Sequence, residues 1–327
     1  RRNWDELRQR LQSLAASYPN DSSVKRLQRE AALQDGYELR VELNVRDEGG
    51  KVRSAPGDSL SAALRLYGPA INDRWRPLAA SERLSASMPD STTSTRFRTG
   101  AGAQYRDADS LLETVVWQNT GAIDRAALSI DAQRELTDHW AVSASYSSFA
   151  GDMPLRAVGA GISASSAGAG LSYTWNELRS ISARIKQYRF SDGNDRQSYQ
   201  LSLSQRLHTA PDFKITLLPN ISGSSNTATD APYFNPRRDF SVVLATAVER
   251  TIWRVYERSL SDRFGIGLGR YQQSGFATGS TAEASYEQTF RHTPAFEITY
   301  GVGWNRRPYD GNTESARLLY LQMVSRF

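Results

Sequence analysis

The sequence has 327 residues, a formal net charge of +5 and no cysteine, and 39% of its residues are hydrophobic while 23% are charged. The lack of cysteine excludes disulfides, thiolate nucleophiles and cysteine-ligated metals, and seven Trp with fifteen Tyr are more than a disordered chain carries. The basic residues are scattered and no nucleic-acid-binding motif occurs, so we expect no nucleic-acid partner.

Residues 3–34 have the apolar periodicity of two short helices. The first is expected to end at Tyr18-Pro19-Asn20, and the second to begin at the capping signal Asp21-Ser22-Ser23 and to stop at Gly36. A pair of this size matches one tetratricopeptide repeat, although a helical hairpin packed on the edge of a domain has the same signature. A single repeat leaves an apolar face uncovered, so we expect further repeats before Arg1 and a longer parent protein.

From Tyr37 onward the apolar period changes from 3.6 to 2, which is the repeat of a β-strand. Residues 296–305 (FEITYGVGWN) place apolar and aromatic side chains on one face and Glu, Thr, Gly and Asn on the other. Sixteen such segments are predicted, near residues 37–46, 58–67, 75–88, 96–105, 110–118, 123–134, 139–149, 166–176, 180–190, 197–208, 212–224, 239–257, 263–271, 281–290, 296–305 and 316–327.

Alternating strands are also typical of a water-soluble sandwich, in which two apolar faces pack together. Two features of the strands favour a transmembrane barrel instead. The segments are about ten residues long, as a tilted membrane-crossing strand must be. Aromatic residues also fall near segment ends, where a membrane barrel carries aromatic girdles. The residues in question are Trp117, Trp140, Trp175, Trp253, Trp304 and Tyr320.

The connections between the predicted strands alternate in length, as they do in outer-membrane barrels. Short turns are predicted at residues 106–109, 135–138, 176–179, 209–212 and 292–295. Longer polar links are predicted at residues 47–57, 149–165, 226–238, 272–280 and 307–315. The alternation within the twelfth strand slips around residues 250–253, which indicates a bulge.

The predicted fold is all-β: a 16-stranded antiparallel transmembrane β-barrel over residues 36–327, preceded by the helical hairpin over residues 1–35. In the hydrocarbon of a bilayer every backbone polar group must be paired within the protein, and a closed sheet meets this requirement. The apolar faces are expected to contact the lipid bilayer of the outer membrane, and sixteen strands enclose a water-filled lumen. With an even number of strands, the first strand begins and the last strand ends on the same side of the membrane. We expect this side, which also carries the helices, to be the periplasmic side.

The sequence offers little for catalysis. Its three His residues, His139, His208 and His292, fall at predicted short turns far from one another, so a Ser-His triad is not readily assembled. Metal-ligand spacings and phosphate-binding loops are also missing from the sequence. We therefore expect no catalytic residue, no metal and no cofactor.

The carboxylates expected to face the lumen concentrate near the strand pair that closes the barrel. This predicted acidic wall consists of Glu38, Glu42, Glu249, Glu283, Glu287 and Glu297. The basic residues expected to face inward lie on other parts of the wall, at Arg98, Arg184, Lys186, Arg206 and Lys214. An acidic wall favours a neutral to cationic cargo, whereas mixed charges that simply hydrate the pore are an equal alternative.

The predicted long links carry aromatic residues next to carboxylates. Such a combination suits pyranose rings, which are apolar on one face and hydroxylated at the edge. The candidate sugar contacts are Tyr233, Phe234, Phe276, Tyr309 and Asp310. The alternative is that these aromatic rings only pack the loops closed.

Five segments resemble one known family in their order along the chain. They are MPLRA at 153–157, APYFNP at 231–236, WRVYERS at 253–259, SGFATGS at 274–280 and WNRRPYDG at 304–311. With the helical hairpin before them, they are similar to the C-terminal part of the poly-β-1,6-N-acetylglucosamine export porins of Gram-negative bacteria, the PgaA type.

The resemblance implies a sixteen-stranded outer-membrane porin behind a periplasmic tetratricopeptide domain. It also implies export of a partly deacetylated biofilm polysaccharide through an electronegative lumen, and a periplasmic polysaccharide deacetylase that binds repeats missing from this chain. Two other functions stay open at this stage. One is export of a neutral glucan such as cellulose, and the other, less favoured, is hydrolysis of polysaccharide or lipid by paired carboxylates.

Overall fold

The helical hairpin predicted at the start of the chain is present. The computed structural model describes residues 4–48, 57–88, 92–228 and 230–327. Helix α1 is Trp4–Ser17 and helix α2 is Ser22–Asp35. Asp21 caps α2, because its carboxylate accepts hydrogen bonds from the backbone N–H groups of Ser23 at 2.8 Å and Val24 at 3.1 Å. The helices within these ranges are too short and too polar to traverse a bilayer.

The sixteen predicted strands are also confirmed, and they form one closed antiparallel barrel. Their bounds are β1 Glu38–Glu48, β2 Ser59–Tyr67, β3 Trp75–Ser87, β4 Thr93–Arg106, β5 Ser110–Gly121, β6 Arg125–Glu135, β7 Trp140–Ser147, β8 Ala164–Asn176, β9 Arg179–Phe190, β10 Asp195–Ala210, β11 Phe213–Asn226, β12 Arg238–Val255, β13 Arg258–Gln273, β14 Gly279–Thr293, β15 Phe296–Tyr309 and β16 Asn312–Arg326. The bulge predicted in β12 is a register shift between Thr251 and Trp253.

The barrel closes where β1 pairs with β16. The register runs from Glu38 opposite Arg326 to Glu48 opposite Ala316. Every strand thereby has two hydrogen-bonded neighbours, so no strand edge is left unpaired. Because side chains alternate between faces, this register fixes which residues point into the lumen on all sixteen strands.

The two ends of the barrel differ. The helix end carries α1 and α2, the start of β1 and the end of β16, and its links run from even-numbered to odd-numbered strands. These links are short, for example residues 211–212, 256–257 and 294–295. The opposite loop end carries the longer links, including residues 148–163 and 227–237.

One predicted long link is wrong. Residues 307–315 contain no loop, since β15 continues to Tyr309 and β16 begins at Asn312. Only Asp310 and Gly311 join them, with φ angles of 47° and 78°. Asp-Gly is a preferred pair for a two-residue hairpin turn because both central residues need positive φ, so the dipeptide itself was the sequence signal for this turn.

The link between β7 and β8 folds into the lumen instead of standing outside it. We call residues 148–163 the inserted loop; it contains the short helix α3, Leu155–Gly159. Phe149 and Met153 on the loop are at most 2% exposed, and they share an apolar core with Tyr67, Leu78 and Trp117 on the barrel wall. The inserted loop therefore packs against the β2–β5 side of the lumen.

Two of the aromatic residues expected on the outer surface face the lumen. Trp117 is 2% exposed, and its indole N–H donates to the Ser129 hydroxyl at 2.9 Å. The hydroxyl of Tyr320 donates to Glu287 at 2.9 Å across the lumen wall. The other four, Trp140, Trp175, Trp253 and Trp304, are 38–43% exposed on the outer surface. Burying the apolar inserted loop explains why Trp117 faces inward.

Candidate functional site: the barrel lumen

The lumen has two different walls. On β7–β11 many inward positions are Ser and Gly, with Arg184 and Lys186 between them on β9. We call the Ser and Gly residues of this surface the serine wall. It comprises Ser143, Ser145, Ser166, Gly168, Gly170, Ser172, Ser180, Ser182, Ser198, Ser202, Ser222 and Ser224. Alternation in the sequence predicts that these serines face inward, but that they form one continuous surface follows only from the register between neighbouring strands.

The opposite wall, on β1–β6, carries large charged side chains in ion pairs. The Arg98 guanidinium donates to Glu82 through Nε at 2.8 Å and lies 4.2 Å from the centre of the Trp117 ring. Arg65 bridges Glu82, at 3.5 Å, and Glu113. The inward position of Arg98 was predicted from the sequence, but this network was not. The direct pairing of Glu82 with Arg98 on β3 and β4 is the signal that could have revealed it.

The inserted loop is held by contacts from both walls. The Arg96 guanidinium donates to the carbonyl of Ala150 at 3.1 Å and to that of Gly151. From the serine-wall side, Lys186 Nζ lies 2.6 Å from the Asp152 carboxylate, and the Tyr188 hydroxyl donates to it at 2.8 Å. Burial alone raises the pKa of Asp152, but these two hydrogen bonds outweigh it and hold the pKa below its ordinary value.

The described residues enclose cavities in the lumen, and three of them bear on function. The central cavity, about 980 Å³, lies between the inserted loop and the serine wall and includes Asp152, Ser198 and Ser222 in its lining. The seam cavity, about 760 Å³, adjoins β1–β5. The lower cavity, about 440 Å³, lies toward the helix end beside β10–β15. Because Arg65 and Glu113 line both the central and the seam cavity, these two adjoin one another.

The carboxylates of the predicted acidic wall do not form one surface. Glu249, Glu287 and Glu297 meet in the lower cavity. Glu38 and Glu42 line the seam cavity. Glu283 lines neither of these cavities; it is exposed and lies between Gly267 and Asn305 of the neighbouring strands.

The charge predicted for the seam is wrong, because arginines from β1–β4 and β16 surround its carboxylates. Glu38 is 5% exposed and accepts from Arg40 Nε at 2.6 Å and Arg326 Nε at 2.9 Å, with Arg76 at 3.8 Å. The seam cavity as a whole is lined by more arginines than carboxylates. The prediction considered the carboxylates of β1 without the arginines that lie opposite them on neighbouring strands.

Two carboxylates of the lower cavity are also paired. Lys214 Nζ lies 3.4 Å from Glu249, and Arg291 Nε donates to Glu297 at 2.7 Å. Glu42 and Glu283 are exposed, as Glu249 is, but unlike Glu249 they have no ion pair among the described residues. These two are the carboxylates of the set that are free to meet a solute in the lumen.

Most of the candidate sugar contacts in the loops are occupied by the protein itself. The Tyr233 ring is 2% exposed and stacks on Phe190 at a centroid distance of 5.0 Å. Its hydroxyl donates to Asp192 at 3.0 Å, and burial raises the pKa of Tyr233 to about 12. Tyr309 is 6% exposed beside Arg307. For Tyr233 and Tyr309 the structure favours the alternative stated above, in which the rings pack the loop end.

The remaining candidates differ in accessibility. Phe234 lines the central cavity and packs edge-to-face on Tyr309 at 5.1 Å. Phe276 is 44% exposed at the loop end. Asp310 accepts from the Gln273 side-chain amide at 2.5 Å, so its carboxylate is engaged by the end of β13. Of the five, only Phe234 presents an aromatic surface to the lumen.

A metal site is not evident in the part of the chain that the structure describes. No three His, Cys, Asp or Glu side chains of residues 4–48, 57–88, 92–228 and 230–327 converge as ligands. The side chains that line the lumen cavities supply hydroxyl, carboxylate, guanidinium, ammonium and amide groups together with aromatic rings.

Comparisons with known proteins agree with this architecture. Two curated relatives, from Escherichia coli strain K12 and Escherichia coli O157:H7, are each named poly-beta-1,6-N-acetyl-D-glucosamine export protein. Each is 24% identical to this chain over 325 residues, which is 99% of the chain and 40% of the relative. The chain therefore spans less than half the length of these relatives.

A solved structure described as a bacterial polysaccharide outer membrane secretin superposes with a TM-score of 0.84 at 24% identity, covering 90% of this chain and 99% of that one. This likeness shows a shared barrel fold. A family model described as the PgaA membrane beta barrel domain matches residues 33–327. The chain is thus an outer-membrane β-barrel, and it belongs to the PgaA membrane β-barrel domain family.

Proposed function

We propose that this barrel exports poly-β-1,6-N-acetyl-D-glucosamine, in partly deacetylated form, across the outer membrane. The family assignment and the names of the curated relatives support this cargo. The observation that carries the proposal is the central cavity, because its serine wall offers a polar surface beside the space that the inserted loop leaves open.

The serine wall suits a moving sugar polymer for a physical reason. Each hydroxyl can donate and accept a hydrogen bond, so it matches both the hydroxyl and the acetamido groups of the polymer. Short side chains also lose little conformational entropy on contact and leave no deep pocket in which a sugar ring could lodge. Passage requires binding that is favourable enough for a solute to enter and weak enough for it to leave.

Carboxylates in the lumen act on the deacetylated sugars of the polymer. The proposed path is lined by Glu38, Glu42, Glu249, Glu283, Glu287 and Glu297. Within this set, the exposed Glu42 and Glu283 contact glucosamine ammonium groups, whereas Glu38 chiefly holds the seam together. Phe234 stacks against a sugar ring where the polymer passes the loop end. The protein takes no catalytic role in this proposal.

The orientation follows from the two ends of the barrel. In our proposal the helix end faces the periplasm, where repeats of the parent protein receive the polymer from a polysaccharide deacetylase. The loop end faces the exterior. An epitope tag inserted at the turn of residues 211–212 is expected to stay inaccessible to antibody on intact cells, whereas one inserted in residues 227–237 is expected to be labelled.

Obstruction of the central cavity tests the proposal. Ser222→Trp places an indole in the cavity, and we expect extracellular polymer to fall at least severalfold while the barrel still folds. Ile221→Trp is the matched control, because the adjacent side chain points to the outer surface and should leave export unchanged. Normal export by a folded Ser222→Trp barrel would contradict this route.

A neutral glucan such as cellulose is the second candidate cargo, favoured by the uncharged serine wall. The two cargoes are distinguished by block of ionic current in planar bilayers. Oligomers of β-1,6-linked glucosamine and N-acetylglucosamine should block at lower concentration than cellohexaose. The reverse order would favour the glucan.

A further inference from the structure

A cleft outside the lumen lies at the helix end, between α2 and the turn that joins β12 to β13. This mouth cleft has a volume of about 730 Å³, and Arg29, Glu30, Tyr256 and Glu257 are among the residues that line it. An ion pair of 3.9 Å between Arg29 and Glu257 joins the helix to the turn. The cleft is therefore built by two elements that are far apart in sequence and are held together by contact.

Tyr256 has an unusual position in this cleft. It is 93% exposed, so contacts within the chain do not account for its ring. It is also the first residue of a two-residue turn between the paired residues Val255 and Arg258, and its φ is 54°. Glycine suits such a position, whereas a bulky side chain is strained there. The strained φ of Tyr256 is not offset by packing of its side chain, and this points to a role for the ring in binding.

The polar groups around Tyr256 can form hydrogen bonds with a sugar. Arg26 and Glu30 form an ion pair of 3.7 Å on α2, and a second pair joins Arg291 to Glu297 on the barrel rim. Five arginines and three glutamates line the cleft, and each glutamate is paired with one arginine, so the walls present hydrogen-bond donors and acceptors of both signs. Hydroxyl and acetamido groups need this combination, and an exposed aromatic ring supplies the apolar surface for a pyranose face.

The mouth cleft leads into the lumen. Arg291 and Glu297 line both the cleft and the lower cavity, so the two spaces meet at this ion pair. A chain that lies in the cleft is thereby directed toward Glu249 and Glu287 inside the barrel.

We propose that the mouth cleft is a docking site for a β-linked N-acetylhexosamine chain, with one sugar ring stacked on Tyr256, at the point where the polymer enters the barrel. This inference rests on the export function proposed above. It adds a binding site outside the lumen, formed jointly by the helical hairpin and the barrel.

The test measures binding of a β-1,6-linked N-acetylglucosamine hexamer to the full chain in detergent micelles by isothermal titration calorimetry. Tyr256→Leu is expected to weaken binding about tenfold, the usual magnitude for loss of one stacking contact. Tyr256→Trp keeps an aromatic face and should restore the affinity. Tyr18→Leu is the matched control, because Tyr18 is 61% exposed at the same end but does not line the cleft.

A stability measurement separates binding from folding. Tyr256→Gly relieves the strained φ, so this variant should unfold at a temperature no lower than the wild type while it loses affinity for the hexamer. Equal affinity in wild type, Tyr256→Leu and Tyr256→Gly would overturn the docking site, as would an absence of hexamer binding by the wild type.

The export function is judged separately. If these variants bind normally but Ser222→Trp still abolishes export, the docking site fails and the export route stands. If the wild-type cleft prefers cellohexaose over the hexamer, the ligand proposed here is wrong, and the proposed cargo is contradicted with it.

Discussion

At the scale of single residues, Glu38 shows how a lumen carboxylate can serve structure. Its carboxylate contacts Arg40 on its own strand, Arg76 on β3 and Arg326 on β16. The negative charge of Glu38 therefore lies beside three arginine side chains at the point where the barrel closes. A carboxylate with three guanidinium partners is poorly available to a passing ammonium group.

Replacement of Glu38 by Gln should destabilise the seam, because it leaves the arginines without their counter-charge. Removal of one partner from a buried ion pair costs roughly 3 to 5 kcal/mol, and we expect about 2 kcal/mol here since Arg40 is half exposed. Urea unfolding in micelles, followed by Trp fluorescence, measures the change. Glu283→Gln is the control and should lower the free energy of unfolding by less than about 0.5 kcal/mol; equal losses in both variants would refute the role of Glu38.

At the scale of elements, the strands were predictable and the inserted loop was not. Apolar and polar residues must alternate along a strand that has one face toward lipid and one toward water. The sequence of such a strand therefore shows a period of two. The inserted loop contains apolar residues such as Met153 and Val158. A short apolar segment has the same sequence pattern whether it lies inside or outside a barrel. Its place depends on matching surfaces on β3–β5, which come together only on folding.

The anchor of the inserted loop predicts a pH response. The pKa of Asp152 is lowered in the folded state, so its contribution to the anchor is complete above the ordinary pKa of about 3.9 and is lost as the pH falls through the folded-state value. Mean single-channel conductance should therefore rise at acidic pH in planar bilayers.

Asp152→Asn should show the raised conductance already at pH 7 and should respond less to acid. Asp131→Asn serves as the control, because Asp131 lines the same central cavity and is not among the residues that anchor the loop. An Asp152→Asn channel with wild-type conductance at both pH values would show that the loop is held by its apolar contacts alone.

At the scale of the whole molecule, a chain of net charge +5 has a lumen in which several arginines, among them Arg40, Arg65 and Arg98, are paired with carboxylates. A sequence can indicate which charges point inward, as it did for Arg98 and Glu42. It cannot indicate which charges neutralise each other, since that depends on the register of neighbouring strands and on loops that enter the lumen. The same limit explains why the strand count was predicted and the acidic seam was wrong.

The two exposed carboxylates should set the ion selectivity of the pore. Because paired charges attract mobile ions weakly, the double variant Glu42→Gln/Glu283→Gln should shift the reversal potential in a KCl gradient toward anions. Glu249→Gln/Glu297→Gln removes the same formal charge from ion-paired positions. If this second pair of substitutions shifts the potential further, the paired carboxylates govern selectivity instead.

The pairing of β1 with β16 also bears on biogenesis. The hydrogen bond between Arg326 and Glu38 spans 288 positions of the chain, and Tyr37 and Phe327 exchange backbone hydrogen bonds of 2.7 Å and 3.0 Å beside it. Contacts so distant are slow to form, because a long flexible segment must first be brought end to end. An incomplete translation product that lacks β16 leaves two open edges and cannot become a sealed cylinder, so cellular proteases should discard it before it reaches its destination.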